Sequence, residues 1–284
     1  MSGPARTFAT PGPVSVLLEL AVGDVTIVAG QRDDTVVDLV PTDETSSLDR
    51  RAAEQTRVDL LGDQLRIKVP KWRQYSPFDN GGSVDVRIEL PEHSSITGEA
   101  TSATFRATGP LSDVRIRTGV GSIRVSTTVE AHLRTSTGEI TIGSISGPAN
   151  LTTGLGPIRV EKLSGGVVRN SSGDCSIGEL SGVVQVNVAK GDIVVRSVRG
   201  ELTARTAAGT IRIEQLVEGT ARLDTAVGDV EVGLPDGTAA ELDAVTRLGS
   251  VRNLLTLSAR RPEATRVATV RARTSLGTIT VRRS

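Results

Sequence analysis

The chain has little of several things that common functional classes require. It holds one cysteine in 284 residues, which excludes an internal disulfide framework. Its two histidines, His93 and His132, fall at unrelated positions of the repeat described below, so they suggest neither a triad nor a metal pair. Aromatic residues make up 2% of the sequence, with one Trp, one Tyr and three Phe, so any core must be aliphatic. The 33 basic and 33 acidic residues cancel, and no global field draws the chain to nucleic acid or to a membrane surface. No apolar run approaches the roughly 18 residues of a membrane-spanning helix. Met1-Ser2-Gly3-Pro4-Ala5-Arg6 leads into no apolar segment of the kind a secretory signal needs. These absences read as a soluble cytoplasmic protein, with peripheral association with the envelope left open.

What the chain does have is glycine, 30 in all, in a pattern that returns every 17 to 19 residues. Each copy begins with a leading glycine, then a small or acidic residue, Ile or Val, a polar residue, and Ile or Val again. It stands at Gly121-Ser122-Ile123-Arg124-Val125, Gly138-Glu139-Ile140-Thr141-Ile142 and Gly156-Pro157-Ile158-Arg159-Val160. It continues at Gly173-Asp174-Cys175-Ser176-Ile177, Gly191-Asp192-Ile193-Val194-Val195, Gly209-Thr210-Ile211-Arg212-Ile213 and Gly228-Asp229-Val230-Glu231-Val232. Apolar and polar residues alternate within a copy, which is the two-residue period of a strand. A fixed short period indicates stacked units that cannot bury an apolar face alone. A second glycine about nine residues on, such as Gly182, Gly200 or Gly219, predicts two short strands per unit with two glycine turns.

The expected fold is therefore all-β: a right-handed parallel β-solenoid of about 18 residues per coil. Three inward rungs follow each leading glycine: two residues on (Ile123 to Val230), four on (Val125 to Val232) and seven on (Ile145, Leu163, Leu180, Val198, Leu216). Residues 1–100 read as an N-terminal β cap with first degenerate coils, among them Gly23-Asp24-Val25-Thr26-Ile27, and residues 101–284 as the repeats of one elongated domain. In the cap, Ser47 to Glu54 predicts a short helix, and Arg57 to Val69 a hairpin turning at Gly62-Asp63. Toward the C-terminus the copies spread out, to Gly249 and then Gly277, and residues 251–284 carry eight Arg and one Glu.

Candidates for chemistry are few. No phosphate loop, nucleophile elbow, zinc-protease motif or dinucleotide fingerprint is present. Cys175 holds an Ile position of the repeat and reads as a small buried apolar residue. Asp174 and Asp192 follow successive leading glycines and invite comparison with a calcium site or an acid pair. The same corner is Ser122, Pro157 or Thr210 elsewhere, which favours a role in hydrogen-bonding the backbone. Three residues before the leading glycines stand Thr118, Thr135, Thr153, Asn170, Thr206, Thr225, Thr246 and Thr274, which predict a side-chain hydrogen-bond ladder. Three of the five aromatics cluster in Lys71 to Gly82. There Trp72, Arg73, Tyr75 and Phe78 form the candidate partner-binding loop, with a seal over the solenoid as the alternative.

The repeated Thr-x-x-Gly-Asp-Ile-x-Val pattern resembles the bacterial β-strand-repeat domain of unknown function labelled "putative adhesin", in particular its actinobacterial members. Leu20-Ala21-Val22-Gly23-Asp24-Val25, Lys71-Trp72-Arg73-Gln74-Tyr75 and Val270-Arg271-Ala272-Arg273-Thr274-Ser275 extend the resemblance over nearly the whole chain. It implies a solenoid with no assigned enzyme activity, no cofactor, no metal and no catalytic residues to carry over.

The expected function is thus a non-catalytic scaffold or adhesin-like interaction protein. Its expected partner is a protein, with a polysaccharide as the alternative and nucleic acid excluded. A carbohydrate-active enzyme on the same fold would need a groove around Asp174, Asp192 and Lys190. An envelope-stress sensor or regulator would dock on a membrane protein through the arginine-rich end.

Overall fold

The computed structural model describes residues 5–69, 82–255 and 266–284. The chain forms two compact units, Met1–Thr141 and Ile142–Ser284.

The first unit runs β1 (Arg6–Ala9), β2 (Ser15–Gly30), β3 (Asp34–Pro41), α1 (Ser47–Gln55), β4 (Arg57–Leu61) and β5 (Gln64–Lys68). It continues through β6 (Val84–Pro91), β7 (Ser95–Val120) and β8 (Ile123–Thr137). Its long strands stack in parallel. β2 pairs with β7, setting Val16 beside Ile96 and Val25 beside Phe105, and β7 pairs with β8, setting Phe105 beside Ile123. On its other edge β2 pairs in parallel with both β5 and β6, so two separate strands build one layer. Among the described residues of this unit, antiparallel pairing is confined to β1–β3, β3–β6 and the β4–β5 hairpin. Phe105 is fully buried in this aliphatic core. Room for its ring comes from Gly98, where a Cβ would lie 3.0 Å from the ring edge.

Helix α1 begins as its sequence suggests. The Ser46 hydroxyl caps it by accepting from the Asp49 amide at 3.3 Å, and Ala52 is its buried contact. The β4–β5 turn falls at Gly62, whose φ of +63° is open to glycine.

The second unit takes up the chain within β9 (Ile140–Ile145) and runs through β10 (Ala149–Leu155), β11 (Ile158–Leu163), β12 (Gly166–Ser172), β13 (Cys175–Lys190) and β14 (Ile193–Ala208). It ends with β15 (Ile211–Val227), β16 (Val230–Leu234), β17 (Thr238–Leu248), β18 (Val251–Asn253), β19 (Arg266–Leu276) and β20 (Ile279–Arg283). Sequence period becomes register here. Cys175 pairs with Ile193, Ile193 with Ile211, and Ile211 with Val230, all in parallel.

The rungs are buried as their phase requires. Ile123, Ile140, Ile158, Cys175, Ile193, Ile211 and Val230 are each 0% exposed. Burying an aliphatic side chain of this size stabilises a fold by roughly 1.5–3 kcal/mol, so these columns supply most of a core in which Phe105 is the described aromatic.

Three features depart from the sequence reading. First, Gly182 and Gly200 do not break the sheet. They pair with each other inside a ladder that runs from Cys175–Ile193 to Lys190–Ala208, so the chain bends at the second glycine while its strand continues. Second, the uneven repeat length is absorbed by register shifts. The β14–β15 pairing goes from Val198–Leu216 to Arg199–Glu218, which leaves Val217 as the extra residue of a 19-residue copy. Third, the final copies do not stack in chain order. β19 pairs with β15 on one side and β17 on the other, and β20 lies between β16 and β18 in the same way. The last segment of the chain is an inner layer, and the segment before it lies outside.

Candidate functional site

The candidate binding loop of Trp72, Arg73, Tyr75 and Phe78 lies outside the described residues. Its anchors are described. Val69 and Val84, at its two ends, are buried at 1% and 0% exposure. The Ser83 amide donates to Asp49 Oδ1 at 3.0 Å, which ties the return strand to α1. Gly82 lies so close to α1 that a Cβ would stand 2.3 Å from the Leu48 carbonyl oxygen. Close by the hairpin, Arg6, Glu54, Gln55, Arg57, Asp59 and Lys68 border a groove of about 670 Å³ with both signs of charge on its walls.

The corner carboxylates are bound to backbone. Asp174 Oδ1 accepts from the Asp192 amide at 3.0 Å, and Asp192 Oδ1 from the Thr210 amide at 2.7 Å. Asp229 Oδ1 accepts from Thr278 N at 2.7 Å and Asp85 Oδ1 from Asp24 N at 2.9 Å. Each acid thus satisfies a turn amide of the adjoining layer, where the ladder is interrupted. This is the backbone role expected of them, reached across the stack rather than along the chain.

Side chains of the threonine and asparagine column reach backbone carbonyls of the adjoining layer. Thr135 Oγ1 donates to the Gly121 carbonyl at 3.0 Å, Asn170 Nδ2 to Gly156 at 3.0 Å, Thr206 to Gly191 at 3.2 Å and Thr225 to Gly209 at 3.0 Å. Thr274 reaches Gly228 and Thr246 reaches Gly277, at 3.0 and 3.1 Å, in keeping with the reordered last layers. All of these side chains except Thr246 are nearly buried, and each meets a carbonyl that the turn takes out of the ladder.

Cys175 is fully buried, and burial, with Asp174 nearby, pushes its thiol up to about 12. That rules out a reactive thiolate at neutral pH. His93 adopts φ +61° in a turn, while His132 Nε2 lies 2.7 Å from Glu130 Oε1, so the two histidines serve separate local structures. Among the described residues, no group of three or more His, Cys, Asp or Glu could hold a metal ion.

One arrangement went unread in the sequence. Arg196 Nη1 donates to Glu161 Oε1 at 2.8 Å across the intervening layer. Gly178 between them carries no side chain, and a Cβ there would lie 2.9 Å from Glu161 Oε1. The hydrogen bond to Arg196 holds the Glu161 carboxyl below the usual range. All three residues stand five after a leading glycine, and that shared phase was the available signal.

Among the described residues, the arginines of the C-terminal segment are distributed rather than gathered. Arg271 lies in register between Arg222 and Asp243, and Arg283 Nη1 donates to the carbonyls of Pro235 and Thr238 at 2.9 and 3.1 Å. No described helix is long and apolar enough to cross a membrane.

Comparison with solved structures finds similar chains. A "putative lipid binding protein" from Parabacteroides distasonis is 10% identical at a TM-score of 0.46, over 97% of this chain and 96% of that one. A "putative adhesin" from Bacteroides fragilis is 12% identical at a TM-score of 0.32, over 98% and 96%. A "putative cell adhesion protein" from Clostridium sporogenes is 11% identical at a TM-score of 0.22, over 99% of both chains. Comparison with curated proteins found no match. One family model spans residues 17–282, nearly all of the glycine-headed repeat and the strands before it, and the chain belongs to that family, Toastrack DUF4097.

Proposed function

We propose that this chain is a non-catalytic scaffold of the β-solenoid type that presents a loop to a protein partner. In this reading each unit winds as a right-handed solenoid with about 18 residues per coil, the hand that parallel crossovers favour. Residues 1–100 serve as the cap and 101–284 as the coils, a division supported by the confinement of antiparallel strands to β1, β3, β4 and their partners. In this reading the protein works in the cytoplasm, with peripheral association with the envelope left open.

The observation that carries this function is the use made of the corner acids. Cleaving a glycosidic bond takes one carboxyl that donates a proton and a second that attacks or activates water. Asp174 and Asp192, the pair best placed in sequence for that chemistry, each have an oxygen engaged by the amide of the next layer. Residues that could have been catalytic are holding turns together, which leaves surface recognition as the role of the scaffold.

The partner surface in this reading is the loop of Trp72, Arg73, Tyr75 and Phe78, where three rings and a guanidinium are concentrated in a chain otherwise almost without aromatics. The test compares capture from a lysate of the source organism by wild type and by Trp72→Ala/Tyr75→Ala/Phe78→Ala, after matched melting curves. A protein held by wild type and lost by the variant supports the loop. An identical catch overturns the loop assignment. No specific catch, together with polysaccharide cleavage by the wild type, overturns the scaffold reading.

A further inference from the structure

Arginines stand side by side on neighbouring strands of the first unit in two places. Arg106 is the register partner of Arg124, and Arg117 that of Arg134. Like charges directly opposite destabilise a strand pair, and the two places answer this differently. Arg106 Nη1 lies 3.4 Å from Asp24 Oδ2, and Arg124 Nη2 lies 3.4 Å from Glu139 Oε2. Arg115, between the two places, is 2.7 Å from Asp113 Oδ2. Among the described residues, the side chains of Arg117 and Arg134 have no hydrogen-bond or ion-pair partner.

The surface beside them is hollow. Two residues on from Arg117 and Arg134, the outward positions are Gly119 and Ser136, and on the preceding layer the same phase is Thr101. Gly119 leaves a gap between the two hydroxyl residues; a Cβ there would lie 2.6 Å from the Thr101 carbonyl oxygen. Arg117, Arg134, Thr101 and Ser136 border the resulting cavity of about 330 Å³, with Glu99 on its rim.

We propose that this cleft binds a tetrahedral oxyanion, a phosphate or the phosphate group of an ester. Two guanidinium groups offer rigid, permanently charged forks of N–H donors, and two hydroxyls add donors on the far side of the gap. A phosphate group carries about −1.5 to −2 charges at pH 7, which balances two arginines where a single carboxylate balances one. The cleft also has room for part of an ester beyond the phosphate. Glu99 is the one carboxylate among the lining residues, and it restrains binding of an anion. None of its residues belongs to the aromatic loop, so the proposal does not depend on the partner reading above.

The test is titration calorimetry at constant low ionic strength with inorganic phosphate, glycerol phosphate and acetate as probes. Wild type is expected to bind phosphate saturably and acetate at least about tenfold more weakly, the difference expected of a second charge-assisted pair. Arg117→Ala and Arg134→Ala should each lose about tenfold, Arg115→Ala should change little, and Glu99→Gln should tighten binding. Should either alanine variant fail to fold, Arg117→Lys and Arg134→Lys keep the charge, lose the fork, and are expected to weaken binding. Binding of inorganic phosphate alone assigns a free ion, and retention of glycerol phosphate assigns an ester on a larger molecule. The proposal is overturned if phosphate shows no saturable binding, if acetate binds as well, or if Arg115→Ala loses as much as Arg117→Ala.

Discussion

At the scale of single residues, Cys175 shows how far phase alone decides environment. It holds the position of Ile158 and Ile193 in the neighbouring layers, and it is as buried as they are. Burial raises its thiol from an ordinary 9.0 to about 12. The folded state therefore favours the neutral thiol. That contribution is complete below pH 9.0 and is lost as pH rises toward about 12. Cys175→Val should keep stability at pH 7 within about 1.5 kcal/mol, as apolar exchanges of similar volume do. It should also lose less of its thermal midpoint than wild type between pH 9 and 11. Melting curves across that range check both; an equal alkaline loss in the two proteins would place the thiol outside the core. The rungs could be read from sequence because alternation of Ile and Val with polar residues has one meaning in a strand. The pairing of Glu161 with Arg196 could not, because it depends on two layers lying next to a third that has a glycine between them.

At the scale of the elements, the leading glycines form the corners of the repeat layers from Gly121 onward, while the Phe105 layer has Ala103 at that corner. Gly191 has φ +140°, and a Cβ on it would lie 2.3 Å from the Gly173 carbonyl oxygen. Both the backbone conformation and the close stacking exclude a side chain. Gly191→Ala should destabilise the second unit by about 3 kcal/mol or more, since strain at such a position is compounded by a clash with backbone. Gly12→Ala is the matched comparison, because nothing lies within 4 Å of a Cβ there, and it should cost less than about 0.5 kcal/mol. Urea unfolding of both variants measures the difference; similar midpoints would remove the corner from its structural role. The second glycines were harder to interpret. Sequence marks Gly182 and Gly200 as turns, but pairing between layers carries hydrogen bonds straight through them. A local bend and a break look the same until the neighbouring strand is known.

At the scale of the whole molecule, the order of the last layers has a mechanical consequence. β19 and β20 join the β15–β16 layer to the β17–β18 layer. A chain ended after Leu255 would expose Val230 and Val232, which are fully buried, and would leave β17 without the strand it pairs with. Such a truncation should make the segment from Thr238 to Asn253 sensitive to protease and should broaden the unfolding transition of the second unit. Limited proteolysis with mass spectrometry checks it. Were the layers stacked in chain order, the same truncation would remove a terminal layer and leave that segment protected.

The sequence by itself determined the strand class, the inward rungs and the glycine at the corners of the repeat. All of these follow from interactions that repeat along the chain, so their signal recurs often enough to be read. Tertiary structure alone decided which layer lies beside which at the C-terminal end, where the corner carboxylates and threonines find their partners, and which arginines are left unpaired. Those outcomes depend on residues brought together from different layers. In β19 the inward Ala268, Val270 and Ala272 are wholly buried, whereas in β17 Leu242 and Ala244 are half-buried behind Glu241, Asp243 and Arg247. An apolar strand gains more from two neighbouring layers than a charged one does, and that difference places the end of the chain inside its predecessor.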